Sequence, residues 1–286
     1  MTTVQKNHDE MDLNAQLKTR YIAALEAADW ASLQLLKCYR MGTPKGLNDL
    51  FLPSVAKGYA GAPVRVMVVG RETRTWNFGR QKALPPLPAT PMSIADYVAR
   101  GIDEHATFRD SDHCLAGQKS RSGLVRLLRA VAEVTGREGL IYSNLFAVAH
   151  NGKDPRLNRE AWPLVRDLSK ALLDIQIEVL KPDVIVFANG SSSAGVRRAF
   201  FPHRPQQDED AGYYRCTDPR DWRSEGIGVA HFWGFKMDGS IECYRIQHPS
   251  AAFHRGQAER ARVRLGEILK EHTVQLRDRN SRAAQV

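Results

Sequence analysis

The chain has 286 residues, 43% of them hydrophobic, and a formal net charge of +9 from 41 Lys and Arg against 32 Asp and Glu. That length and apolar content suit one α/β domain with insertions and a sizeable core, and the charge favours polyanionic partners. The 4 cysteines, Cys38, Cys114, Cys216 and Cys243, form no C-x-x-C pair, so neither a zinc ribbon nor an iron–sulfur cluster is signalled and no metal or cofactor is expected.

The N-terminus, MTTVQKNHDEMD, lacks the apolar core of a signal peptide, and no run approaches the roughly 20 apolar residues of a membrane span. A soluble, cytoplasmic protein with reduced thiols and no membrane partner is the expectation. Residues 1–10 are polar and read as frayed. From Met11 to Tyr39, Leu13, Leu17, Tyr21, Leu25 and Ala28 keep helical spacing, extended by Trp30, Leu33 and Leu36. Gly42–Gly46 reads as a turn and Leu47–Lys57 as a short helix.

The run Val64 to Val69 is short, apolar and rich in β-branched residues, and it stops at Gly70, as a strand buried on both faces of a parallel sheet does. Ligands in open α/β sheets bind beyond the carboxyl ends of the strands. Here that position carries Arg71, Glu72, Thr73 and Arg74, then Trp76 and Phe78. A carboxylate between cations, followed by aromatics, suits an anionic substrate with π faces, such as a nucleotide. The plainer alternative is a solvated loop.

Residues 79–120 contain the stiff Leu84–Pro88 stretch and then a helix at Ser93–Glu104. Ser122–Thr135 is a helix stopped by Gly136. Leu140–Ser143 is the second strand, closed by Asn144, and LFAVAHNG follows as a loop. Trp162–Leu180 places Val165, Leu168, Leu172, Ile175 and Val179 on one helical face, with Pro163 in the first turn. Asp183–Ala188 is the third strand, and Ser191, Ser192 and Ser193 open a short helix towards Phe201. Pro202–Gly226 reads as irregular, with Tyr213, Tyr214 and Trp222 embedded. Residues 227–247 read as a hairpin turning at Asp238-Gly239. Its second arm, Ile241–Gln247, is the fourth strand and delivers His248-Pro249-Ser250. The last helix is expected at Gly256–His272.

The resulting expectation is a single α/β domain, a three-layer α/β/α arrangement with a central four-stranded, mainly parallel sheet. An N-terminal helical segment (1–63) packs on it, the core spans 64–272 with insertions at 79–120 and 202–226, and a disordered basic tail follows (273–286).

Gly70-Arg71-Glu72-Thr73-Arg74 after the first strand, Tyr142-Ser143-Asn144-Leu145 closing the second, and Gln247-His248-Pro249-Ser250 after the fourth occur in an order that resembles the uracil-DNA glycosylase superfamily. The resemblance spans about residues 64–270. It implies a DNA partner, a monomeric enzyme without cofactor, and hydrolysis of the N-glycosidic bond of a flipped-out pyrimidine. It makes Glu72 and His248 the catalytic pair. The classical enzymes carry Asp-Pro-Tyr where this chain has Glu72-Thr73-Arg74, so Arg74 stands where a tyrosine would wall off the base's 5-position. Uracil is the substrate that the resemblance implies by default, whereas Arg74 and the two insertions favour the alternative, a cytosine or uracil bulky at the 5-position, as in hypermodified phage DNA. An antiviral role follows from the latter.

Physical chemistry fills in the other roles. Asn144 can offer one donor and one acceptor to a pyrimidine's Watson–Crick edge. Trp76, Phe78 or Phe108 can stack on a flipped base, and Phe253 can wedge into the duplex. Arg71, Ser191, Ser192, Ser250 and Arg255 suit phosphates. The alternative of another class is a catalytically silent nucleic-acid-binding module on the same fold.

Overall fold

The computed structural model describes residues 3–28, 37–40, 43–73, 76, 93–111, 122–203, 215–249 and 256–283, with side chains left aside at 3–12, 37–40, 43–46 and 277–283. It divides into two compact units, one of Met1–Val55, Glu72–Arg109 and Ser143–Lys181, the other of Ala56–Arg71, Asp110–Tyr142 and Pro182–Val286.

The second unit is built on a sheet. Strand β3 (Val66–Gly70) is buried at every position, as is β5 (Val184–Phe187). These two pair in parallel, Val66 opposite Val184 and Val69 opposite Phe187. Strand β8 (Ile241–Ile246) continues the parallel set on the other side of β5. Then come β7 (Phe232–Met237) and β6 (Cys216–Arg220), both antiparallel, while β4 (Leu140–Asn144) flanks β3, giving a 6-stranded order β4-β3-β5-β8-β7-β6. The α/β class is as expected; the sheet has six strands and not four. Strand β6 lies in the stretch whose sequence reads as irregular, and for a physical reason. Its sequence CTDPR has no apolar alternation, Asp218 sits at φ +51° and the register shifts between Thr217 and Arg220, so only Cys216 is fully buried. The β7–β8 hairpin turns through Asp238 and Gly239, both at positive φ, as the Asp-Gly pair predicts.

The Asp183 carboxylate receives the Arg65 backbone N–H at 2.8 Å and two guanidinium nitrogens at 2.8 and 3.1 Å, which fastens the starts of β3 and β5 together. Helix α3 (Gly123–Thr135) is N-capped by the Ser122 hydroxyl and stopped at Gly136, and it buries Leu127, Leu128 and Val131. The chain then passes under Val64. A Cβ at Gly139 would lie 2.3 Å from the Val64 carbonyl oxygen, so only glycine allows this passage. Helix α6 (Gln257–Ala283) runs past the expected end at His272, through most of the segment read as a disordered tail. Of Ala258, Ala261, Leu265 and Ile268, which keep helical spacing, the last three are buried and Ala258 is half-buried, and Leu269 and Thr273 are buried as well.

Beneath this sheet lies an unusual charge. Arg197, on the short helix α5 (Ala194–Phe200), is 1% exposed. Its guanidinium lies 4.9 to 5.6 Å from the ring centres of Phe235, Trp233 and Phe187 and bonds His203 Nε2 at 3.1 Å. No carboxylate partners it among the described residues, and burial pulls its pKa down to about 10.

The first unit is largely helical. Helix α1 (Thr3–Ala27) starts within the stretch expected to fray and buries Leu17, Tyr21 and Leu25 completely. It packs on α4 (Trp162–Leu180), whose bounds match the sequence reading. Residues 29–36 lie outside the described set. The stretch expected as helix end and turn instead forms the antiparallel pair β1 (Lys37–Arg40) and β2 (Thr43–Gly46). Helix α2 (Ile94–Asp110) is longer than expected.

The expected helix at Leu47–Lys57 is absent. Leu47 to Val55 is an extended, buried segment. Its backbone polar groups pair outward, Asn48 N–H with Ala149 O at 3.0 Å and Phe51 N–H with Ala147 O at 2.8 Å, which removes any need for helical bonds. Among the described residues, no helix is long and apolar enough to cross a membrane.

Candidate active site

The parallel pairing of β3, β5 and β8 fixes where their carboxyl ends emerge. Within the second unit, Gly70-Arg71, Ala188-Asn189 and Gln247-His248 leave one edge of the sheet, and Ala188 N–H donates to Val69 O at 2.8 Å to hold the first two in register. The chain then turns at Gly190, which has φ +73° and approaches His248 so closely that a Cβ would sit 3.2 Å from the His248 N and Cβ. Glycine is required on both counts. The turn sets Ser191 and Ser192, both exposed, next in chain to this contact, while Ser193 is fully buried. His248 and Arg71 are half-buried.

Asn189 is 0% exposed, and neither its amide oxygen nor its amide nitrogen has a partner among the described residues; the Ser193 hydroxyl is in the same position.

In the first unit, Glu72 is 8% exposed and Asn144 is 5% exposed. Both are therefore withdrawn from bulk water, unlike solvated turn residues. Ser143, beside Asn144, donates its hydroxyl to Gln176 Oε1 at 2.5 Å, so helix α4 fixes the end of β4. The loop after Asn144 is fastened again where Ala147 N–H donates to the Ser169 hydroxyl at 3.0 Å.

Trp76 N–H closes a turn onto Thr73 O at 3.0 Å. Its ring meets Phe51 at 4.7 Å and Phe108 at 5.6 Å, both edge-on. So the two aromatics expected to stack on a base already pack with each other and with Phe51; their half-exposed remainders are what a ligand can touch. His105, buried beneath Phe51, receives the Ser54 N–H on Nδ1 at 3.0 Å, which gives it an ordinary structural role.

The sequence-derived residues thus fall into two sets. Arg71, Ser191, Ser192 and His248 belong to the second unit, and Glu72, Asn144 and Trp76 to the first. Arg74, Phe78, Ser250, Phe253 and Arg255 lie outside the described residues, as do Tyr213 and Tyr214. Trp222, the described aromatic of the 202–226 insertion, is packed within the second unit. Its ring packs on Phe232 at 4.2 Å and covers Gly234, where a Cβ would come within 2.9 Å of it.

Two residues that sequence reasoning missed are Asn48 and Asp49, buried to 1% and 9% exposure. Asn48 Nδ2 donates to Thr73 Oγ1 at 2.6 Å, and Tyr97 donates its hydroxyl to Asp49 at 3.2 Å. Leu47 to Val55 is mostly apolar, and a polar Asn-Asp pair inside such a run is the available signal.

Among the described residues no group of His, Cys, Asp or Glu is arranged to hold a metal ion. In comparisons with known proteins, no family model matches the chain and no curated protein matches it.

Proposed function

We propose that the chain is a monofunctional DNA glycosylase that hydrolyses the N-glycosidic bond of a flipped-out uracil or 5-modified pyrimidine. One observation carries this reading. Glu72 and Asn144, the strand-end carboxylate and amide singled out by the motifs, are both buried. Burying a carboxylate costs stability unless something compensates, and sites of chemistry are where such groups are kept. The +9 charge and the exposed Ser191 and Ser192 support a DNA partner.

In this mechanism the bond from C1′ to the base nitrogen breaks with its electron pair leaving on the base. Positive charge builds on the sugar, which the Glu72 carboxylate stabilises. Glu72 also orients the attacking water and takes its proton as the new C1′–O bond forms. His248 donates a hydrogen bond to the base oxygen as it becomes anionic, for which a neutral imidazole suffices. Asn144 faces the Watson–Crick edge. Its amide matches uracil in one orientation and cytosine in the other, so base choice rests on what fixes that orientation and on Arg74 at the 5-position.

Incubation of the purified protein with uracil-containing DNA and with heavily modified phage DNA, followed by mass spectrometry of the released bases, tests the proposal. DNA bound without any base released supports the silent binding module instead.

A further inference from the structure

Resting on that reading, we propose that Asn48 is a positioning residue. It clamps the Glu72 loop to the loop that follows Asn144, and so holds the carboxylate and the base-reading amide in a fixed relation. All the residues concerned lie within the first unit.

Asn48 uses its side chain and its backbone in two directions. Its Nδ2 donates to the hydroxyl of Thr73, the residue after Glu72, at 2.6 Å. Its Oδ1 accepts the Ala149 N–H at 2.6 Å, and its own N–H returns to Ala149 O at 3.0 Å. Leu47 bridges His150, and Phe51 N–H reaches Ala147 O at 2.8 Å, so the buried segment runs as a short rail beside residues 147–150. That loop begins at Asn144 and is fixed from its other side by Ser143 and Ser169 contacts to α4. Through Asn48, the rigidity of α4 and β4 is passed to the loop that carries Glu72.

Burial makes this clamp hard to replace. Asn48 is 1% exposed, so water cannot readily take over either bond. Alanine at this position leaves the Ala149 N–H and the Thr73 hydroxyl without the amide that joins them. The Trp76 turn is released with them, since it hangs from Thr73 O. Small displacements of catalytic groups by remote changes lower rates by up to about 10²-fold.

The test uses the full chain and the variants Asn48→Ala, Thr73→Val and Thr73→Ser. Valine is isosteric with threonine but cannot accept from Asn48; serine can. Hydrogen exchange followed by mass spectrometry reports the loops directly. The clamp predicts faster exchange across 72–76 in Thr73→Val, across both 72–76 and 147–150 in Asn48→Ala, and wild-type exchange in Thr73→Ser. Single-turnover excision should fall about 10- to 100-fold in the first two variants with DNA affinity unchanged, and stay within about 3-fold in Thr73→Ser.

Wild-type exchange in Thr73→Val overturns the clamp whatever the activity. So does altered exchange with an unaltered excision rate, since the contact would then hold the fold and not the chemistry. If wild-type protein releases no base from any DNA while the exchange pattern is as expected, the glycosylase reading falls and the clamp between the two loops stands. Should Asn48→Ala fail to fold, the Thr73 pair decides alone.

Discussion

His203 should make the second unit acid-labile well above the pH at which carboxylates protonate. Its Nε2 lies 3.1 Å from a guanidinium nitrogen of Arg197, which has only donors, so Nε2 accepts and the ring is neutral with its proton on Nδ1. The ring also packs on Trp233 and Phe235, at 4.9 and 4.8 Å. Burial, and then the charges of Arg197 and Arg198, push its pKa from 6.5 down to about 3. A base with a lowered folded-state pKa costs nothing while both states are neutral. As pH falls below 6.5 the unfolded chain takes up a proton that the folded chain refuses, so stability is lost progressively down to about 3. Each pH unit in that window is worth at most about 1.4 kcal/mol, or roughly 2.7 kcal/mol between pH 6.5 and about 4.5. The ring is only partly buried, and solvent screening takes about half of that, leaving ~1–1.5 kcal/mol. Urea unfolding of wild type and of His203→Gln, at pH 7 and at about pH 4.5, reads the difference. Glutamine can still accept from Arg197 but does not titrate, so the variant should lose ~1–1.5 kcal/mol less than wild type over that interval. Equal losses in the two proteins refute the assignment of a buried neutral acceptor.

Other expectations bear on the chemistry. Glu72→Gln and His248→Ala should each lower single-turnover excision by at least about 10²-fold, with unfolding midpoints near wild type; wild-type rates would remove both from the mechanism. DNA affinity should fall steeply with salt, by a slope of about −0.9 in log K per phosphate neutralised, and an affinity that ignores salt would count against a DNA partner. Arg74→Tyr should abolish excision of a base with a bulky 5-substituent while sparing uracil, because a ring replaces a flexible donor-bearing side chain; unchanged selectivity would remove Arg74 from base choice.

Elements whose sequence carries one strong period were readable. Helix α4 has a single apolar face between Pro163 and Lys181-Pro182, and its bounds agree with the spacing. Strands β3 and β5 announce themselves because both faces are buried and the runs are wholly apolar. The Asp-Gly pair located the β7–β8 turn. What was missed lacks a local signature. Strand β6 is an edge strand containing Asp218 and Pro219, so tertiary pairing with β7 and not propensity makes it a strand. Leu47 to Val55 is short and buried throughout, without a period that separates a buried helix from a buried extended segment; its partners lie about a hundred residues away, at 147–150.

Site residues follow the same division. The positions of Glu72, Asn144 and His248 could be read because strand ends were legible: Asn144 closes β4, and Glu72 and His248 stand two residues past the ends of β3 and β8. The Asn-Asp pair marks Asn48 as an oddity in its run, but its two long-range bonds to Thr73 and Ala149 leave no trace in the local sequence. Nor does the tie between Gly190 and His248, which depends on the two strands being neighbours in the sheet. Trp76 and Phe108 read as free stacking surfaces in the sequence; only the fold shows Trp76 packed edge-on against both Phe51 and Phe108.

Release of free base is the most direct measurement. Purified wild-type protein and Glu72→Gln are incubated with uracil-containing DNA and with phage DNA carrying bulky 5-substituted pyrimidines, and the released bases are identified by mass. The account predicts a free pyrimidine and an intact abasic sugar in the strand from at least one of these DNAs with wild type, and at least about 10²-fold less with Glu72→Gln. DNA binding with no free base from any substrate, or equal release by the two proteins, would contradict it.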